Sequence, residues 1–446
     1  MKKILTFISL LVFLIPVVSF SQQDYRGIIS DDFRHRFDDY QFRVQKDILG
    51  PRGLGMGGAN IAASNDPTAF YSNPASMTTA PGLNISISGK MNFDSQTHDA
   101  PPLTGFSVRT TVTPLATLSY ANLSYSIPLG RRHLSLGIGY RSFIDMNSKL
   151  YSMQYYYGGG RLREDSRMNG GLDALSPSVA LDILPSLSLG LTYNSFFSES
   201  DFELKLVSPY ADNFVYFRYK DKEKYSGSDL DLGIHFRPMK WLFIGATFSP
   251  KWTFTVKETK EALTTFDSIT NKRTRLATPD SGLATFDFDI PMEMGFGIAL
   301  KPFKNTTLAF DVRSQSWSGI KATSTLEESS PVLSQFVDVT SWYAGIEQIL
   351  PSGLNWQIPV RMGFFSRQTP YKDKLFKDRY EGKQVVYNGF SAGLGIRKGN
   401  ISIDFAFSRA IDKFGWWMTA SDYYNRRMFE TTKRYNHIIL AFSYKL

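Results

Sequence analysis

The 446-residue chain contains no cysteine. That absence removes disulfides, thiolate metal sites, cysteine nucleophiles and a lipid anchor on an N-terminal cysteine. Histidine is also scarce, with five residues at 35, 98, 133, 235 and 437, and no two stand at metal-ligand spacing. No Ser, His and acid set suggests a hydrolase, so the sequence reads as a non-enzymatic protein without a metal or cofactor. Long hydrophobic runs are missing as well. After the first twenty residues nothing approaches the roughly 18 apolar residues of a spanning helix, and the mean hydropathy is −0.21. Any membrane crossing must therefore be made by strands. The formal charge of +9 is interspersed rather than clustered, which argues against a nucleic-acid-binding stripe. A mild positive balance suits contact with anionic lipid or lipopolysaccharide.

The chain opens with Lys2 and Lys3, an apolar run from Ile4 to Val18, then Ser19 and Ser21. Small residues one and three before a cut mark a cleaved secretory signal over residues 1–21, too short for a spanning helix. Its loss removes Lys2 and Lys3 and lowers the charge from +9 to +7.

What the rest contains is alternation. In 286–301, FDFDIPMEMGFGIALK, Phe286, Phe288, Ile290, Met292, Met294, Phe296, Ile298 and Leu300 share one face, while Asp287, Asp289, Glu293, Gly295, Gly297 and Lys301 share the other. Soluble strands usually run about five or six residues. Fourteen such runs, from 83–93 to 433–446, predict a 14-stranded antiparallel transmembrane β-barrel, an even number as bacterial barrels require. Tight turns at 128–132, 184–186, 238–240, 301–305, 350–353 and 397–400 alternate with long loops such as 257–284 and 412–432. Short periplasmic turns and long outer loops are the asymmetry of an outer-membrane barrel. The aromatic fraction of 15% suits interfacial girdles. The final strand, HIILAFSYKL, places Ile438, Leu440, Phe442, Tyr444 and Leu446 on one face. It resembles the C-terminal signal read by the barrel assembly machinery, with Leu446 in place of the usual aromatic ending.

Fourteen strands enclose a wide lumen that needs a plug, and residues 22–82 are the candidate. A charged extension, 24–47, precedes a Gly-, Ala- and Asn-rich stretch from Gly50 to Met77. Its glycines follow no strand and lack phosphate-loop spacing, so they do not form a nucleotide site. The run Arg52, Gly55, Met56, Gly57, Gly58, Ala59, then Asp66, then Asn73, Pro74 and Ala75, resembles the N-terminal hatch of the FadL/TodX family of outer-membrane transporters of long-chain fatty acids and other hydrophobic compounds. The resemblance continues through Pro291, Gly295, Gly297, Lys301, Pro302, Asp311, Trp317, Pro359, Arg361, Gly363, Pro370, Gly393, Gly395 and Asp404. It implies a hatch over residues 22–82 inside a barrel over 83–446. It also implies passive uptake of hydrophobic compounds, fatty acids by default, with release past the hatch or through the wall. Asn73, Pro74 and Ala75 match the hatch triplet. Ser76 replaces the glycine that many members carry after that triplet, and the extension is longer than in the best-known members.

If the apolar face meets lipid, Asp182, Asp231, Asp287, Asp289, Glu293, Asp311, Arg313, Arg361, Arg397 and Asp404 line the lumen. Asp311, Arg361 and Asp404 lie close to short turns and so near the hatch. With Arg52 they form a candidate latch through charge-assisted hydrogen bonds; the alternative is that they solvate the interior and pair among themselves. Trp416, Trp417 and Met418 are a candidate docking surface or an interfacial belt. A second function stays open. Some relatives in the Bacteroidetes act as shuttles of the type IX secretion system, a protein-interaction role with a similar hatch. A general porin would be open, against the large N-terminal segment. The sequence shows no feature that requires more than a monomer.

Overall fold

The computed structural model describes residues 50–446 apart from 100–106, 114, 146, 156–160, 211–212, 269–272, 277–282, 321, 325–335, 354, 374–382 and 420–425. The signal and the charged extension lie outside the described residues. No described helix is long and apolar enough to cross a membrane.

Strands dominate. Twenty-one hydrogen-bonded segments, several of them pieces of one strand, make a closed antiparallel barrel of fourteen strands. They are β1 (Gly82–Asp99), β2 (Ser107–Thr113 and Ala116–Leu129), β3 (Arg132–Asp145 and Ser148–Tyr155), β4 (Arg161–Leu175 and Ser178–Leu184) and β5 (Leu187–Tyr210). Next come β6 (Asn213–Met239), β7 (Leu242–Ser249 and Trp252–Ser268), β8 (Arg273–Leu276, Leu283–Ile290 and Glu293–Phe303), β9 (Thr306–Gln315 and Ala322–Ser324) and β10 (Val339–Ser352). The last are β11 (Trp356–Asp373), β12 (Lys383–Lys398), β13 (Ile401–Thr419) and β14 (Arg426–Lys445). The barrel closes where β14 pairs with β1, from Asn84 opposite Lys445 to Asp99 opposite Glu430.

All six predicted tight turns are present, and the closing seam lies at the same end, where Leu83 and Leu446 exchange backbone hydrogen bonds of 3.1 and 2.8 Å. The opposite end differs from the expectation. The stretches 257–284 and 412–432 are largely strand, and β5 and β6 run 24 and 27 residues, against the roughly 9–11 that span a bilayer. The wall thus rises far above the lipid band. Trp416, Trp417 and Met418 belong to β13, opposite Phe429, Met428 and Arg427, and their side chains lie outside the described ones.

Alternation sorts the wall. Ile85, Ile87, Leu136, Ile138, Leu189, Leu191, Leu232, Ile234, Phe296, Phe310, Phe364 and Leu394 are exposed on the outside, while Ser86, Ser88, Ser188, Thr192, Asp231, Asp311, Arg361 and Asp404 are buried within. In a lipid solvent such an apolar outer belt is the stable arrangement. In β14 the buried residues are Ile439 and Ala441, so Ile438, Leu440, Phe442 and Tyr444 take the outer face as expected.

The long strand read over 286–301 is two pieces of opposite phase. Pro250 and Pro291 interrupt β7 and β8 at the same height, between the pairs Ser249 with Glu293 and Trp252 with Ile290. Proline cannot donate to the ladder, so both strands break together. Below the break Gly245, Ser249, Gly295 and Gly297 face inward; above it Trp252, Phe254, Val256 and Ile290 do. Asp287 and Asp289 therefore leave the lumen and lie on the outer face. There they accept hydrogen bonds from Thr255 and Thr253 at 2.7 and 2.6 Å, and Lys251 pairs with Asp289 at 2.5 Å. The inversion turns apolar residues into the interior. With Phe143, Ile144, Leu172, Phe196, Trp317 and Val339 they build a buried apolar cluster, in which Phe196 stacks on Trp252 with centroids 4.4 Å apart.

Candidate functional site

The segment from Gly50 to Ala80 sits inside the barrel as a plug. A short helix, α1 (Pro51–Gly55), starts with proline at its first position, where the missing N–H costs nothing. The backbone then turns through Gly57 and Gly58, whose φ angles of 69° and 98° exclude most side chains. A second helical turn, α2 (Ala69–Ser72), leads to a 3-10 helix over Pro74–Thr79.

Asn73 joins these pieces. Its side-chain amide donates to the carbonyls of Ile61 in the plug and Ile234 in β6, both at 2.9 Å, while its oxygen accepts from the Ala75 N–H at 3.1 Å and caps the 3-10 helix. Pro74 opens that helix and Ala75 is fully buried against β5.

The plug meets the wall where the wall lacks side chains. Gly139, Gly190, Gly233, Gly245, Gly297, Gly345, Gly363 and Gly393, on eight of the fourteen strands, all face the plug. A methyl on Gly363 would overlap the Gly57 nitrogen, one on Gly345 the Met56 carbonyl, and one on Gly190 the Ala75 nitrogen. Ala299, Ala309 and Ala406 complete this small-residue lining around Leu54, Met56 and Ala62.

Charge fixes the same surface. The Arg52 guanidinium donates from Nη2 and Nε to Glu347 on β10 at 2.8 and 3.1 Å and from Nη1 to the Ala63 carbonyl at 2.6 Å, with Asp66 3.6 Å away. Burial opposes its charge, but Glu347, helped by Asp66, more than offsets this and raises the Arg52 pKa above the ordinary guanidinium value. Arg361 on β11 donates to the second Glu347 oxygen at 2.7 Å and to Asp404 on β13 at 2.6 Å. Arg52, Arg361 and Asp404 are thus brought together as expected, through a residue the sequence reading missed. Asp311 stands apart from them. One of its oxygens accepts the backbone N–H groups of Asn60 and Ile61 at 2.6 and 2.8 Å, and Arg313 holds the Asn60 side chain at 2.8 Å. Glu347 shares the inward face of β10 with Ser341 and Tyr343, so alternation alone would have found it.

Above the plug lies a polar layer. Arg141 is 1% exposed, with its guanidinium 5.6 Å from the Tyr71 ring of the plug and 4.7 Å from Phe143 of the apolar cluster, and it pairs with Asp231 at 3.8 Å. Asn194 bridges Asp229 and Asp231. Higher still, Asp221, Glu223 and Glu258 bring carboxylate oxygens within 4.8 Å of one another, a grouping from two strands that no local spacing announces. It could hold a cation, although Tyr225 and Ser200 already donate to Glu223.

Comparison places this architecture among known barrels. A FadL homologue from Pseudomonas aeruginosa superposes with a TM-score of 0.59 at 14% identity, covering 89% of this chain and 98% of its own. The toluene transporter TodX of P. putida gives 0.58 at 14% over 89% and 98%, and the monoaromatic hydrocarbon channel CymD 0.53 at 13% over 89% and 97%. At these identities the likeness is one of fold, that of the FadL/TodX outer-membrane barrels. No curated protein matches the sequence. A sequence profile does: it runs over residues 52–354, from Arg52 in the plug to just beyond Glu347, about two-thirds of the chain, and the protein belongs to the BamG family of outer-membrane barrels.

Proposed function

We propose that this barrel carries hydrophobic compounds passively across the outer membrane, with long-chain fatty acids as the first class to test. The observation that carries the reading is the apolar cluster around Trp252, Phe196 and Phe143. A membrane barrel gains nothing for its lipid contact by turning Trp252, Phe254 and Ile290 into the lumen. An apolar interior above the plug suits apolar cargo. The TodX and CymD names, which speak of toluene and monoaromatic hydrocarbons, make small aromatics the second class. The plug closes the short-turn end, and its ties to the wall through Arg52, Glu347, Arg361, Asp404 and Asp311 control passage there.

The test is uptake of labelled oleate and labelled toluene by cells lacking their own outer-membrane transporter and expressing this barrel, wild type or Trp252→Ala. Barrel-dependent uptake that falls in the variant supports the reading; an inserted barrel that takes up neither compound refutes it. A second reading, a protein-interaction barrel such as a type IX secretion shuttle, is favoured by the close fit of the plug against the wall glycines, where an added methyl at Gly190, Gly345 or Gly363 would overlap plug backbone. Purification of the tagged barrel from its native membrane with a stoichiometric protein partner, and without bound hydrocarbon, would select it.

A further inference from the structure

The six short turns hold a second surface that the lumen does not explain. Between Leu129 and Arg132, Leu184 and Leu187, Met239 and Leu242, Phe303 and Thr306, Ser352 and Trp356, and Lys398 and Ile401 there is no acidic residue. Five basic residues lie there, Arg131, Arg132, Lys240, Lys304 and Lys398, and all are exposed. Among the described residues none of them enters an ion pair. The outer face of the opposite end is built differently, since Lys222 and Lys224 both pair with Glu199 at 2.8 Å and Lys251 pairs with Asp289.

These cations stand at the edge of the lipid belt. Trp241, 50% exposed, follows Lys240, and Phe303, 73% exposed, precedes Lys304. Lys398 lies over the Trp356 ring at 4.7 Å. A ring at the hydrocarbon boundary with a cation beside it places the cation at headgroup level. We infer that the short-turn rim binds the phosphates of anionic phospholipid in the leaflet that surrounds it. Two features select lipid over an acidic protein. The cations are distributed over four of the six turns around the circumference, as a surrounding leaflet would require, whereas a docked protein would need them on one arc. Lys240, Lys304 and Lys398 each also adjoin an aromatic ring at the edge of the apolar belt. Attraction of this kind is electrostatic and falls with salt.

The inference is independent of cargo and of plug movement. It is tested on the full chain purified in neutral detergent, by titrating phosphatidylglycerol or phosphatidylcholine and following the heat-induced gel shift of the barrel. Phosphatidylglycerol is expected to raise the transition temperature more than phosphatidylcholine, with the difference vanishing in 1 M salt. In the variant Arg131→Gln, Arg132→Gln, Lys240→Gln, Lys304→Gln, Lys398→Gln, affinity for phosphatidylglycerol should fall on the order of tenfold or more. Equal stabilisation of the wild type by the two lipids overturns the proposal whether or not the variant folds. So does a folded variant that still prefers phosphatidylglycerol, and recovery of an acidic protein on the wild-type rim in place of lipid would reassign the surface.

Discussion

Arg52 and Glu347, 295 positions apart in the chain, meet in a two-pronged hydrogen bond that ties the plug to the tenth strand. Because Arg361 grips the same carboxylate from the next strand, Glu347 is shared by two buried guanidinium groups, with Asp404 and Asp66 supplying the remaining negative charge.

Replacing Glu347 with Gln leaves Arg361 with Asp404 and Arg52 with only Asp66, 3.6 Å away, as charged partners. Loss of one partner of a buried pair costs about 3–5 kcal/mol. The variant should unfold at clearly lower urea in a tryptophan fluorescence titration and should leak ions in planar bilayers. A variant with wild-type midpoint and conductance would remove this network from plug retention.

Asn73 uses both ends of its amide, so Asn73→Asp should be nearly as damaging as Asn73→Ala. An aspartate can still cap Ala75 but cannot donate to Ile61 or Ile234, and each buried carbonyl left without its donor costs about 1–3 kcal/mol. Limited proteolysis reads the result as faster cutting in 60–75; equal resistance of the Asn73→Asp variant and the wild type would show that the two donated bonds contribute little.

Gly363→Ala puts a methyl against the Gly57 nitrogen, whereas at Gly353, on a short turn, a methyl meets nothing within 4 Å. The first change should block formation of the compact, heat-modifiable barrel or expel the plug, and the second should be silent. Similar behaviour of the two would mean that the plug does not rest on the wall as described.

The phase inversion predicts opposite reactivity for neighbours. The chain has no cysteine of its own, so single cysteines report cleanly. Asp289→Cys should react with a bulky water-soluble maleimide on intact cells, and Ile290→Cys should react only after denaturation. The reverse pattern would restore one unbroken face over 286–301.

How much of this is legible in the sequence depends on range. The fourteen strands and six tight turns follow from period and punctuation, which are local. Arg52, Arg361 and Asp404 stand out because charge on an inward face is conspicuous. Glu347 obeys the same period but is hidden beside the bulkier pattern of Trp342 and Ile346. Asp287 and Asp289 are misplaced by sequence reasoning because the alternation of 286–301 never falters in composition; Pro291 shifts its phase, and only the matching break at Pro250 in the neighbouring strand makes that shift a change of face. The stretches 257–284 and 412–432 read as loops because strands outside a lipid band need no apolar outer face, so no period of two has to mark them. Asp311 is correctly set beside the plug, but its partners are backbone N–H groups, which carry no letter in a sequence.

The glycines facing the plug give the two faces of eight strands different tolerances. On β11, Met362 is 64% exposed and Phe364 45%, and lipid will accept almost any apolar replacement for either. Between them Gly363 has no substitute that leaves Gly57 where it is. Tolerance to substitution at this height is thus expected at every second residue: the outer face accepts apolar side chains of many shapes, while the inner face admits only the smallest residue of all.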